Sequence, residues 1–95
     1  MSIQSAIQSR RLLSFTYEGF SRIAEPHTYG VDGKGHYAVR AYQISGGSHS
    51  NESEGWRLFH VNQMTGLAIL PSTFSGPRRG YKRGDRAFRS ILAQL

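Results

Sequence analysis

"HYAVRAYQ" at residues 36–43 and "WRLFHV" at residues 56–61 are two apolar-aromatic runs separated by a polar loop, "SGGSHSNESEG", at residues 45–55. In the first run Tyr37, Val39 and Ala41 alternate with His36, Ala38, Arg40 and Tyr42. In the second, Trp56, Leu58 and His60 alternate with Arg57, Phe59 and Val61. A period of two is the pattern of strands, whose successive side chains point to opposite faces. The pair predicts an antiparallel hairpin. Each run also carries one arginine in mid-strand, and a buried charge without a partner is costly. Arg40 and Arg57 therefore call for either a bound anion or a carboxylate.

The same alternation extends outward along the chain. Leu13, Phe15 and Tyr17 alternate with Ser14 and Thr16, Glu18-Gly19 is a turn signal, and the chain returns through Ser21 to Glu25. Pro26 lacks a ladder donor and belongs at an edge or a bend. "TYGVDGKGHY" predicts a hairpin turn around Asp32-Gly33, and "MTGLAIL" a fifth strand with Gly66 at a bulge. At the start, Ser2 is placed to cap a helix that carries Ile3, Ala6 and Ile7 on one face. At the end, Asp85 is placed to cap a second helix, with Phe88, Ile91, Leu92 and Leu95 at helical spacing. The expectation is a mainly β fold, a bent five-stranded antiparallel sheet or barrel with an N-terminal and a C-terminal helix. One domain spans residues 1–95, of which 76–95 form a basic segment and the final helix. The 45–55 loop has no apolar anchor and is expected to be mobile.

Composition narrows the function classes. The chain has 95 residues, no cysteine and no apolar stretch near the ~20 residues of a membrane span. Disulfides and thiolate chemistry are excluded, and the chain reads as a cytoplasmic protein that does not enter membranes. The formal net charge is +6, and arginine supplies most of the 12 basic residues. Arginine matches phosphate with a planar fork of donors and stacks on aromatic rings. Such a balance favours polyanionic partners, nucleic acid or nucleotides.

Two groups of residues carry that chemistry. Arg40 and Arg57 each share a strand face with aromatic residues, a pairing suited to a ligand with both phosphate and base. If like faces of the two strands meet, both guanidinium groups share one pocket framed by His27, Tyr29 and Tyr42, with Glu25 as a stand-in counter-ion. The alternative is that both arginines pair with Glu18, Glu25 or Asp85 and finish the surface. The second group is "PRRGYKRGDRAFR", residues 77–89, in which Arg78, Arg79, Lys82 and Arg83 flank Tyr81, as in binders of single-stranded nucleic acid. Such a run also serves simply as a solvated face.

No enzyme is expected, because no motif sets a nucleophile beside a base. None of the 4 histidines has an i, i+4 partner on a helix, and His49 and Glu52 meet only in a loop, so spacing suggests no metal site. "GVDGKG" lacks the ending of a phosphate-binding loop, and no cofactor is implied.

Taken in order, "AIQSRRLLSFTYEG", "EPHTYG", "YAVRAYQ" and "GWRLFHVNQM" resemble the WYL domain, a bacterial module. "FSGPRRGYKRGD" is similar to the segment that follows the barrel in some members. The tripeptide that names the family falls at His36-Tyr37-Ala38, keeping the tyrosine alone, and Asn62-Gln63 stands where many members carry Asp-Arg. The resemblance implies an Sm-like, SH3-type barrel that binds a negatively charged ligand and passes the signal to an effector in transcription regulation. Family members usually carry a helix-turn-helix ahead of this domain. The chain starting at the first helix leads to the expectation of a stand-alone sensor, or an accessory subunit of a separate DNA-binding regulator. The competing expectation is an interaction module whose barrel and end helices form a homo-oligomer or dock a separate regulator, with the final helix packed inward or against a second copy.

Overall fold

A computed structural model describes residues 2–48 and 52–95. A short helix, α1 (Ile3–Gln8), is followed by β1 (Arg11–Tyr17), β2 (Phe20–Asp32), β3 (Tyr37–Gly46), β4 (Gly55–His60), a 3-10 turn (Val61–Gln63), β5 (Thr65–Thr73) and β6 (Phe88–Gln94). The strands form one antiparallel sheet of six, in the order β4-β3-β2-β1-β5 with β6 on β2.

The helix forms as its sequence suggests. The Ser2 and Ser5 side chains satisfy each other's backbone amides in a reciprocal capping box, and Ile3, Ala6 and Ile7 are buried. They belong to one core cluster with Leu13, Phe15 and Tyr17 of β1, Ala24 of β2, Val39 and Ala41 of β3 and Phe59 of β4. Phe15 and Tyr17 meet the Phe59 ring edge-on at 4.8 and 4.9 Å. The Tyr17 hydroxyl accepts the His60 amide at 3.0 Å and donates to Gln63 Oε1 at 2.8 Å, which fixes the end of β4.

The turns also follow the sequence. Glu18 and Gly19 both have positive φ, 52° and 81°, the signature of the two-residue type I′ turn that joins twisted strands. At the β2–β3 turn, Asp32 Oδ1 accepts the amides of Lys34 and His36 at 2.9 and 2.8 Å.

β2 organises the sheet. One of its edges pairs with β3 along most of its length. Its other edge is divided: Phe20–Ala24 pairs with β1 and Thr28–Asp32 with β6. Pro26, which has no amide to offer, falls in the gap between these two partners, and the β2–β3 register shifts between Pro26 and Thr28. The proline expected at an edge or bend thus sits inside the longest strand, where no donor is needed.

Two expectations are corrected. The C-terminal helix is the strand β6. Asp85 does cap locally, its Oδ1 accepting the Ala87 amide at 2.9 Å, but the turn leads into extended chain. The apolar residues of 88–95 also fit alternation at Ile91, Ala93 and Leu95, and β2 beyond Pro26 has an edge to fill. Gly30 permits this pairing, because a Cβ there would lie 2.1 Å from the Ser90 carbonyl oxygen. Among the described residues there are consequently six strands rather than five, and the sheet is not closed into a barrel.

The loop expected over 45–55 is shorter than its composition suggests. β3 runs to Gly46, and the Gln43 side-chain amide donates to the carbonyls of Gly47 and Ser53, both at 3.3 Å. His49 lies outside the described residues, so the grouping of His49 with Glu52 does too. Among the described residues, no helix is long and apolar enough to cross a membrane.

Candidate functional site

The register separates the sheet into two faces. Glu25, Tyr42 and Trp56 lie across from one another, as do Thr28, Arg40 and Leu58. These residues face away from α1. The neighbouring positions Val39, Ala41 and Phe59 face the helix.

Residues 74–85 run across this outer face as a strap, and the basic cluster belongs to it. Arg78 makes a two-pronged ion pair with Glu25, Nε to Oε1 at 2.8 Å and one terminal nitrogen to Oε2 at 3.1 Å. Its guanidinium also lies 4.5 Å from the centre of the Tyr42 ring. The Glu25 hydrogen bonds raise the pKa of Arg78 further. His27 anchors the strap from beneath: its Nε2 accepts the Arg78 amide at 3.0 Å, and its ring sits against Trp56, Phe74 and Tyr81. Trp56 Nε1 donates to the Arg79 carbonyl at 3.0 Å. Gly80 has φ 92°, and a Cβ there would press on the indole at 3.0 Å, so this passage suits glycine.

Beside the strap opens a cleft of about 740 Å³. Trp56 and Tyr81 supply its aromatic walls, and Arg40, Lys82, Arg83 and Arg86 supply cations. Asp85 is the one carboxylate of the lining, held to Arg40 Nε at 2.7 Å. Burial opposes the Asp85 charge, yet the Arg40 and Ala87 donors and the charges of Arg40 and Lys82 outweigh it. Together they hold the carboxyl below its ordinary pKa. The Tyr81 hydroxyl and Arg83 both donate to the Leu95 backbone oxygen, at 2.8 and 2.6 Å, and the Gly84 amide donates to Gln94 Oε1 at 2.9 Å. β6 therefore supports the cleft from behind.

The residues expected to share a pocket are distributed. Arg40 lines the cleft, with Asp85 as the carboxylate partner that the alternative reading named. Tyr42 is on the same face but lies under Arg78. Arg57 is across from Ala41, on the other face, where its guanidinium donates to the Trp56 and Glu52 carbonyls at 3.1 and 2.9 Å. The shared Arg40–Arg57 pocket is thereby corrected. Tyr29 lies across from Val39, partly buried against the core and stacked with Tyr37. His27 is 0% exposed, with Nδ1 bonded to the Glu25 carbonyl and Nε2 to the Arg78 amide, so both ring nitrogens are engaged within the protein. Burial pushes its pKa down, and its two bonds fit the neutral ring with the proton on Nδ1.

Within the basic run, Arg78 is spent on Glu25 and Arg79 contributes its carbonyl, whereas Tyr81, Lys82 and Arg83 do line the cleft. Trp56 and Arg86 were legible only as a strand aromatic and one charge of a run. Among the described residues the buried arginine is Arg22, which the sequence did not single out. It is 3% exposed beneath the rings of Tyr17, Phe20 and Phe59, donating to the Tyr17 carbonyl and Gln43 Oε1. Desolvation lowers its pKa.

No family model, curated protein or solved structure matches this chain.

Proposed function

We propose that this chain is a non-enzymatic binding module whose cleft takes a phosphate-bearing ligand with an aromatic base, a nucleotide or a single-stranded nucleic acid. The observation that carries the reading is the cleft composition, with Lys82, Arg83, Arg86 and Arg40 around Trp56 and Tyr81 against the single carboxylate of Asp85. Cations neutralise phosphate while rings stack on bases, and each base stacked contributes ~1–3 kcal/mol without demanding a particular sequence. The Asp85–Arg40 pair is a built-in stand-in: an arriving phosphate competes with the carboxylate for the guanidinium.

The resemblance to WYL domains supports the same reading and extends it to regulation. On this view the bent sheet is an opened relative of the Sm-like barrel, and ligand binding is reported to a separate regulator. Titrating a fluorescent single-stranded oligonucleotide at several salt concentrations tests the reading. Binding that weakens steeply with salt, and more weakly after Lys82, Arg83 and Arg86 are changed to Gln, is the expected result. Absence of binding at low salt, for oligonucleotide and mononucleotide alike, would reject it.

A second reading has one observation in its favour. β5 ends the ladder with its outer edge unpaired among the described residues, and Leu67 on it is 41% exposed. Such an edge is a template for strand addition by a second copy. Of the two end helices expected to take part in such a contact, α1 is present and the C-terminal one is the strand β6.

A further inference from the structure

Asp32 ends β2, His36 lies in the turn that follows, and His60 ends β4. The β3–β4 register puts His60 across from Ala38, next to the turn. The Asp32 amide donates to the His36 carbonyl at 2.8 Å, which closes the turn over the aspartate. With Oδ1 engaged by the Lys34 and His36 amides, the carboxylate is fixed and Oδ2 faces both imidazoles. His36 Nδ1 is 3.6 Å and His60 Nε2 3.5 Å from Oδ2, and all three ligand atoms lie within 4.8 Å of one another.

These distances are long for hydrogen bonds. They suit a shared ion: donors ~2.0–2.1 Å from a tetrahedral centre stand about 3.3–3.4 Å apart. Closing the site needs a few tenths of an ångström at Oδ2 and about an ångström or more between the two imidazole nitrogens, a movement open to the exposed His36 ring. The donor set also selects the class of ion. Two imidazole nitrogens and one carboxylate suit zinc and its first-row neighbours, whereas calcium and magnesium prefer oxygen throughout. The backbone amides on Oδ1 supply the outer-shell orientation that such carboxylate ligands need.

We infer that Asp32, His36 and His60 form a site for a divalent first-row transition-metal ion, with zinc as the reference ion and at least one coordination position left to water. The ion ties the β2–β3 turn to the end of β4, on the face of the sheet that carries Arg40. Helical spacing could not reveal it, because the ligands come from a turn and from the end of a non-adjacent strand. The inference is independent of the anion cleft, which shares none of these three residues.

The test is a titration of the full chain with cobalt(II), followed by visible absorption, and then displacement by zinc. One equivalent of cobalt giving an intense visible band that zinc abolishes is expected. His36→Ala and His60→Ala should each weaken binding by more than the ~10–100-fold that loss of an outer-shell partner costs. Asp32→Asn, which keeps the turn's acceptor oxygen, should weaken it as well. Absence of cobalt and zinc binding, or variants that bind as the parent does, overturns the inference. If a variant fails to fold, NMR of the parent decides. Zinc must shift the His36 and His60 ring signals, and shifts confined to His27 or His49 overturn the site.

Discussion

Arg40 and Arg57 point to opposite sides of the β3–β4 ladder, since Leu58 stands across from Arg40 and Ala41 across from Arg57. The alternation within each strand puts each arginine among aromatic neighbours, but the register between strands decides which faces meet. One residue of shift exchanges the faces. The two arginines consequently have separate duties: Arg40 holds Asp85 in the cleft, and Arg57 fastens the chain before β4 through the Glu52 carbonyl.

Arg40→Gln removes a cleft cation and leaves Asp85 unpaired where a phosphate would sit. A charge-assisted contact contributes ~1.5–3 kcal/mol, so oligonucleotide affinity should fall about tenfold to a hundredfold. Arg57→Gln should leave it within about twofold. Fluorescence anisotropy on both variants checks this, and equal losses would contradict the two-face arrangement.

Arg78 and Lys82 sit close in the basic run but should fail differently. Arg78→Ala strands the 6% exposed Glu25 carboxylate, at a cost of about 2–3 kcal/mol, below the figure for a fully buried pair because Arg78 is itself 44% exposed. Urea denaturation should show this loss. Lys82→Gln should leave the urea midpoint unchanged and reduce the salt slope of oligonucleotide binding by about one.

Gly30→Ala should detach β6. The added methyl meets the Ser90 carbonyl and the Ile91 Cα, which are backbone and cannot swing aside, so the cost should exceed the ~1–3 kcal/mol typical of overpacking. The melting temperature should drop, and hydrogen exchange should accelerate selectively over 88–94. A parent-like melt would mean that the β2–β6 pairing is wrong.

Acid should destabilise the protein in two steps. Burial lowers the His27 pKa below its ordinary value of about 6.5, so the unfolded chain binds a proton that the folded chain refuses. This stability is fully present above pH ~6.5 and is lost as pH falls towards the folded pKa. Asp32 and Asp85 are also depressed, Asp32 chiefly by the His36 amide and Asp85 by Arg40 and Ala87 against its burial. Their contributions are present above pH ~4 and are lost at lower pH. Thermal melts from pH 7.5 to 3 should show both phases, and His27→Gln should flatten the first.

Local signals determined much of this molecule without tertiary help. The Ser2 cap and the Ile3, Ala6 and Ile7 face make a helix, Glu18-Gly19 and Asp32-Gly33 make turns, and alternation in "SFTY", "YAVRAYQ" and "WRLFH" makes strands. All of these depend on neighbours within a few residues, which one chain segment can display. The tertiary structure decided the rest. Residues 88–94 fit both a helical and an alternating pattern, and the half-filled edge of β2 beyond Pro26, approachable at the bare Gly30, made them a strand. The fate of each arginine was settled in the same way, because whether a charge meets Glu25, Asp85 or a carbonyl depends on register and on the path of the 74–85 strap. Asp32, His36 and His60 converge for that reason too: β3 and β4 pair so as to bring a distant strand end beside a turn, and side-chain spacing along one segment cannot encode that distance.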